Sequence, residues 1–323
     1  MTFFEKSNIE KWQTRSFREL RYAFRESRKA IKLTPLDRDK IRPRHAYRLL
    51  AVNHHSRMFW GQVLCDTISE FFCDGEEGSW HDREIFFVTL VHVGGARSRG
   101  HKLSEVELRK IKNHLRIGLR GCSYFGMIEP AYYLNLQSGV NFREKRCVFW
   151  HLHALVWGVE GKKLRARLKL LAAKGEYAAI ADGKDPTRVE SVGQGDLPSC
   201  VAYLVKYPDR GYRVWKRDAV GPDGSAIMDA DGVVQPTFRH KAGQLRPGER
   251  IDLFHAMKHL DLEQLAMAGR EGAGLFKKLK KRIDRIVDQK EEYRQRTSGR
   301  LAILKRIRAR GRSAQRKTSA VKQ

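Results

Sequence analysis

Cys147–Gly158 reads C-V-F-W-H-L-H-A-L-V-W-G, apolar almost throughout except for two histidines at alternate positions, His151 and His153. In a strand, residues two apart share a face. The two imidazoles therefore sit side by side, while Trp150, Leu152 and Ala154 face the other way. Two neutral imidazoles so placed can grip one metal ion. Standing alone, an H-x-H pair on an apolar strand reads as core histidines, each satisfied by a local hydrogen bond. Its neighbours have to decide between the two readings.

Upstream, Tyr124–Leu134 (Y-F-G-M-I-E-P-A-Y-Y-L) is also strand-like. Pro130 places it at a sheet edge or a bulge. A polar loop over Gln137–Arg146 joins it to the histidine strand, and consecutive strands so joined pair antiparallel. Glu129 is the one acidic residue of this apolar, aromatic strand, and a carboxylate there needs a partner. Glu129, His151 and His153 together make a divalent-metal site with positions left open for substrate oxygens. Downstream, Ala202–Tyr207 reads A-Y-L-V-K-Y. On a helix over Pro198–Tyr207, Tyr203, Lys206 and Tyr207 are i, i+3 and i+4 and share a face. Two phenols and an ammonium form a phosphate-handling surface in which a tyrosine can act as nucleophile. The structural alternative is two tyrosines packing a helix edge beside a solvated lysine.

The elements around these motifs set the fold class. Residues 1–80 read as helical, with Phe17, Leu20, Phe24 and Ile31 near one face, breaks at Pro35 and Pro43, and a second helix over Arg44–Phe72 that Asp74–Gly78 ends. Its His54-His55 pair reads as structural or surface, because adjacent residues do not share a helix face. Glu84–His92 (E-I-F-F-V-T-L-V-H) is a strand. Ser104 and Glu107 form a capping box for a helix carrying Leu108, Ile111 and Leu115, stopped by Gly121. Lys162–Lys174 is a helix with Gly175 past its end, and Thr187–Val192 a short strand. Asp196 caps the Pro198–Tyr207 helix. The order is βαββαβ followed by a helix, the pattern of an α+β, ferredoxin-like split antiparallel sheet. Pro222-Asp-Gly and Asp229–Gly232 read as hairpin turns, and Ile251–Gly269 as a helix broken near Asp261. The expected organisation is a helical extension over 1–80, a core over 81–216, a hairpin and helical region over 217–270, and a basic, partly disordered tail over 271–323.

Lys and Arg number 64 against 37 Asp and Glu in 323 residues, a formal charge of +27. Such an excess favours a polyanionic partner, nucleic acid above all. From Arg270 to the end, 19 Lys and Arg face 5 Asp and Glu, a tail suited to binding nucleic acid by counterion release. No run of 18 apolar residues exists, so the sequence offers no membrane span. Five scattered cysteines (Cys65, Cys73, Cys122, Cys147, Cys200) without C-x-x-C spacing argue for a reducing, cytoplasmic setting.

Three motifs in order, F-F-V-T-L-V (Phe86–Val91), W-H-L-H-A-L (Trp150–Leu155) and Y-L-V-K-Y (Tyr203–Tyr207), resemble the HUH endonuclease superfamily over about Glu84–Gly211. The Y-x-x-K-Y form and the Glu129-Pro130 step look most like the rolling-circle replication initiators of single-stranded DNA phages and plasmids. The family's first motif usually ends in T-L-T, where this chain has Thr89-Leu90-Val91. The resemblance implies a metal-dependent nick in single-stranded origin DNA. His151 and His153, with Glu129, would hold Mg²⁺ or Mn²⁺. Tyr203 would attack to leave a 5′-phosphotyrosine, Lys206 would position the phosphate, and Tyr207 would be the second nucleophile. The chain has no G-x-x-x-x-G-K-[ST], so unwinding would fall to a host or co-encoded helicase working with a polymerase. A relaxase or single-strand transposase would share this chemistry, and a non-catalytic basic DNA-binding protein could share the fold.

Overall fold

The computed structural model describes residues 3–72, 83–134, 146–177 and 185–290. In chain order the elements are α1 (Phe3–Glu26), α2 (Pro35–Asp39), α3 (His54–Phe72), β1 (Phe86–Leu90), β2 (Ala96–Ser98), α4 (Glu105–Gly118), β3 (Ser123–Leu134) and β4 (Arg146–Trp157). There follow α5 (Gly161–Ala173), β5 (Thr187–Ser191), α6 (Leu197–Leu204), β6 (Arg210–Asp218), β7 (Pro236–Gln244), α7 (Pro247–Met257), α8 (Leu262–Leu265) and β8 (Ala266–Gly269). The chain divides into two compact units, Met1–Lys277 and Lys278–Gln323. The described part of the second, 278–290, is helical. The expected loop over Gln137–Arg146, the helix end at Asp74–Gly78 and the terminal basic stretch fall wholly or almost wholly outside the described residues.

The fold is α+β, built on one mixed sheet ordered β5-β1-β4-β3-β6-β7, with β2 added to β4 and β8 to β3. The β3–β6 pair is parallel and the other named pairs are antiparallel. The β3–β4 pair is the spine. It is continuous from Ser123↔Trp157 to Leu134↔Arg146 and sets Glu129 opposite His151. Beyond it, β1 places Thr89 opposite His153.

Each face of the spine has its own cover. A Cβ on Gly118 of α4 would touch Leu90 and Leu168, so α4 and α5 lie on the face of Leu90 and its partner Leu152. The capping box of Ser104 and Glu107 starts α4 as the sequence indicates, and Gly175, at φ +77°, follows α5. On the opposite face, Tyr203 of α6 lies against His153, and α1 and α3 both pack on α6. These two layers bury apolar side chains throughout β3 and β4, including Trp150, Phe125 and Leu152 at 0% exposure. Burial on both faces explains why β4 is apolar at consecutive rather than alternate positions.

Several sequence expectations are corrected. The second helix starts at His54, not Arg44. Leu49 has φ +53°, and Asn53 accepts from the Ser56 N–H while its amide donates to the Lys40 and Arg42 carbonyls, so it separates a 3₁₀ turn from α3. Of the two readings of His54, the structural one holds: it is buried and stacked on Phe17, centroids 3.8 Å apart. β3 is an interior strand, not an edge or a bulge. On its side away from β4, β8 pairs with Tyr124–Met127 and β6 with Tyr132–Leu134; Pro130 lies in the gap, where a missing N–H interrupts no ladder. Asp196 makes no side-chain cap, since it belongs to a 3₁₀ turn that runs straight into α6. The helix expected over Ile251–Gly269 begins at Pro247 and breaks after Met257, and its last four residues form β8 on the open side of β3. The two predicted turns do cap the β6–β7 hairpin, with Gly224 and Gly232 at φ +83° and +74°.

Tight β3–β4 packing gives a stability prediction. A Cβ on Gly126 would come within 2.5 Å of the His153 carbonyl oxygen, whereas one on Gly274 meets nothing within 4 Å. Gly126→Ala is expected to destabilise by about 1–3 kcal/mol, and Gly274→Ala, in a helix, to stabilise by about 0.5–1 kcal/mol. Urea unfolding of both variants checks the contrast.

Candidate metal centre

Strand register assembles the donors. Glu129, His151 and His153 each offer one ligand atom, all within 4.8 Å of one another. The His151 and His153 Nε2 atoms are 2.9 Å apart, and His153 Nε2 lies 3.5 Å from Glu129 Oε2. Glu129 and His153 are 7% and 5% exposed, so the group lies at the floor of the site.

Hydrogen bonds orient the two rings. His151 Nδ1 lies 3.4 Å from the Phe149 carbonyl, which can only accept, so Nδ1 carries the proton and Nε2 presents a lone pair. His153 Nδ1 meets Thr89 Oγ1 at 2.9 Å. Burial, reinforced by Lys206, lowers the His151 pKa to about 4; burial, then His151, holds His153 well below the ordinary histidine value. Both rings are therefore neutral ligands at physiological pH. With His153 donating from Nδ1 to Thr89, two Nε2 lone pairs face each other at hydrogen-bond distance, an arrangement that a shared cation relieves. The other tautomer joins the imidazoles through a proton but leaves Glu129 Oε2, a buried oxygen with no hydrogen-bond partner among the described residues, unsatisfied. A cation satisfies all three donors at once, so the residues present fit a metal ion.

The other expected residues are only partly brought together as foreseen. Tyr203 sits edge-on to His153, centroids 4.9 Å apart, and edge-on to Phe87 at 5.6 Å. Lys206 Nζ lies 3.5 Å from the Tyr203 ring centroid and 3.6 Å from Glu129 Oε1. Burial works against the Lys206 ammonium, but Glu129 and Tyr203 outweigh it and raise its pKa. Burial raises the Glu129 pKa even though Lys206 and Arg57 oppose it; a metal ion would supply the missing positive charge.

Tyr203, Lys206 and Tyr207 do not share a helix face. The helix ends at Leu204, for two reasons. Pro208 disfavours helical geometry at Tyr207, and the next carbonyls are captured from afar. Arg57 donates to the carbonyls of Val205 at 3.2 Å and Lys206 at 2.8 Å, and Gln13 donates to Val205 at 2.9 Å. Lys206 thereby turns toward Glu129, and the Tyr207 ring, 3% exposed, lies beneath the Arg57 guanidinium at 5.5 Å. Among the described residues the buried Tyr207 hydroxyl has no hydrogen-bond partner, and burial pushes its pKa up.

Glu129, His151, His153, Tyr203, Lys206 and Tyr207 line one cavity of about 420 Å³. Its rim carries Arg188 and Arg210 but also Asp185 and Asp209, so its charge is mixed rather than uniformly basic. Sequence reasoning missed Arg57 and the link from Thr89 to His153. Arg57 did leave a signal: it is the only Lys, Arg, Asp or Glu between His54 and Cys65, the same lone charge in an apolar run that singled out Glu129. No protein-family model, curated protein or solved structure matches this chain. Among the described residues, no helix is long and apolar enough to cross a membrane.

Two outcomes follow. A divalent cation should raise the melting temperature, a chelator should reverse the gain, and Glu129→Gln or His153→Ala should abolish it; saturation at 100 times Kd corresponds to about 2.7 kcal/mol. Arg57→Met should destabilise strongly, because the Val205 and Lys206 carbonyls lose a buried donor, about 1–3 kcal/mol each. Urea unfolding of Arg57→Met beside Arg57→Lys measures that loss.

Proposed function

We propose that this protein is an HUH-type endonuclease, a rolling-circle replication initiator that nicks and rejoins single-stranded DNA through Tyr203. One observation carries the reading: a tyrosine ring and a lysine ammonium stand directly against a buried Glu-His-His donor set. The strand order β5-β1-β4-β3 supports it as well. Numbered along the βαββαβ run, that is 4-1-3-2 with antiparallel neighbours, the arrangement of a ferredoxin-like core.

On this reading, Glu129, His151 and His153 would hold Mg²⁺ or Mn²⁺, which would supply Lewis-acid polarisation of the scissile phosphate. Thr89 fixes the His153 ring through Nδ1. Lys206 stays charged and neutralises one phosphate oxygen. The Tyr203 hydroxyl gives its proton to solvent water as its oxygen bonds to phosphorus. The P–O3′ bond breaks, the leaving oxygen takes a proton back from solvent, and a free 3′-OH remains for a polymerase. Attack by that 3′-OH on the phosphotyrosine reverses the sequence and reseals the strand. Tyr207 acts as the second nucleophile only after leaving its place beneath Arg57. The positive charge of the chain suits the polyanionic substrate, and helicase and polymerase would come from the host or be co-encoded.

Incubation with single-stranded origin DNA and Mn²⁺ should yield a covalent protein–DNA adduct, visible on a denaturing gel. Tyr203→Phe should reduce it at least 100-fold, and Tyr207→Phe should leave the first adduct within about threefold of wild type. Equal adduct from wild type and Tyr203→Phe would refute the assignment.

A further inference from the structure

The β6–β7 hairpin carries a feature that the cavity does not use. Register pairs Arg213 with Lys241, Trp215 with Arg239 and Arg217 with Thr237. Directly paired residues share a face, and so do residues two apart. One face of the ribbon therefore bears four cations, Arg213, Arg217, Arg239 and Lys241, around a tryptophan, with no carboxylate among them. All four are exposed, and Trp215 is 40% exposed. Trp60, Trp150 and Trp157, by contrast, are at most 1% exposed. The alternate residue Val214 is fully buried against Ala96, Cys147 and Phe149, which fixes the Trp215 side as the one turned away from the sheet.

Two physical points single this face out. Like charges set directly opposite in a sheet are destabilising, yet Arg213 faces Lys241. The half-exposed indole beside them offers a flat apolar face on which a base can stack. A polyanion with flat apolar rings removes the like-charge penalty and fills that face. Cations that track a backbone around an aromatic platform are how proteins hold single-stranded nucleic acid without reading its sequence. The face is also separate from the metal centre. Tyr212 and Arg210, which alternate with Arg213, line the cavity, and Tyr212 stacks on Tyr133 at 4.9 Å. The Arg213–Trp215–Arg217 side is thus the reverse of the surface that meets the cavity.

We infer that this ribbon face is a second nucleic-acid site, which binds single-stranded DNA by stacking a base on Trp215 and neutralising neighbouring phosphates with Arg213, Arg217, Arg239 and Lys241. It goes beyond the nicking reading and does not depend on it, because binding here needs neither the metal nor Tyr203.

The test uses the full chain in EDTA, so cleavage plays no part. Fluorescence anisotropy with a labelled oligothymidine of about 20 nucleotides should show Trp215→Ala binding about 5- to 100-fold more weakly. Arg213→Gln with Arg239→Gln should lower the slope of log affinity against log salt by about 1.4. Asp223→Asn, in the hairpin turn, should change neither. Irradiating a bromouridine-substituted oligonucleotide on the wild-type chain should cross-link the peptide that contains Trp215. Unchanged affinity and slope in variants that melt like wild type, or a cross-link map without that peptide, would overturn the site. A duplex that binds as tightly and suffers the same losses would overturn its single-strand character. Loss of nicking with these results intact would count against Tyr203 chemistry alone.

Discussion

The register of β3 against β4 is the constraint on which the rest depends. Side chains in a strand alternate between faces, so a slip of one residue would turn Glu129 away from the histidines and expel Trp150, Leu152 and Ala154 from the core they fill. Burial makes that slip expensive, since every residue of β4 from Cys147 to Trp157 except His151 is buried. The same packing that secures the fold thus fixes the Glu129–His151 pairing. It also leaves a buried carboxylate oxygen without a hydrogen bond among the described residues. A stable core would avoid such an atom, and a metal ligand requires one.

A second layer of support comes from the N-terminal helices. Arg57 is fully enclosed, and burial lowers its pKa to about 10, so it still carries its charge at neutral pH. That charge is spent on backbone: Arg57 donates to the carbonyls of Ala51, Val205 and Lys206. These bonds satisfy a segment that has left its helix, and they set the direction in which Lys206 departs. The two tyrosines of Y-L-V-K-Y consequently differ in circumstance. Tyr203 closes the last helical turn beside His153, while Tyr207 is packed beneath a guanidinium.

Local patterns made most of the fold legible. The H-x-H strand, the capping box of Ser104 and Glu107, the glycine after α5 and the paired hairpin turns all follow from rules that act within a few residues. Glu129 was legible because a lone acid in an apolar strand demands an explanation. What the sequence hid was decided by distant partners. Nothing in Ala202–Tyr207 announces that its carbonyls are claimed by Arg57 and Gln13, so helical spacing carried Lys206 and Tyr207 onto a face that does not exist. Ala266–Gly269 continues a helical pattern and becomes a strand because β3 has an open side there. Pro130 suggested an edge, since a sequence does not reveal a gap between two partners of an interior strand. Asn53 broke the second helix by bonding to the carbonyls of Lys40 and Arg42, a role no spacing rule assigns.

The bonds from Gln13 and Arg57 to residues 205 and 206 span 192 and 149 positions of the chain. Ribosomes add about 5–20 residues per second, so α1 and α3 are made on the order of ten seconds or more before the carbonyls they hold. β8 closes on β3 later still. A nascent or truncated chain that stops short of residue 205 has the strands that carry Glu129, His151 and His153 but lacks Lys206 and the carbonyls through which Arg57 and Gln13 hold its segment. Synthesis order thereby sets an order of assembly: Glu129, His151 and His153 are made before the segment that brings Tyr203 and Lys206 beside them.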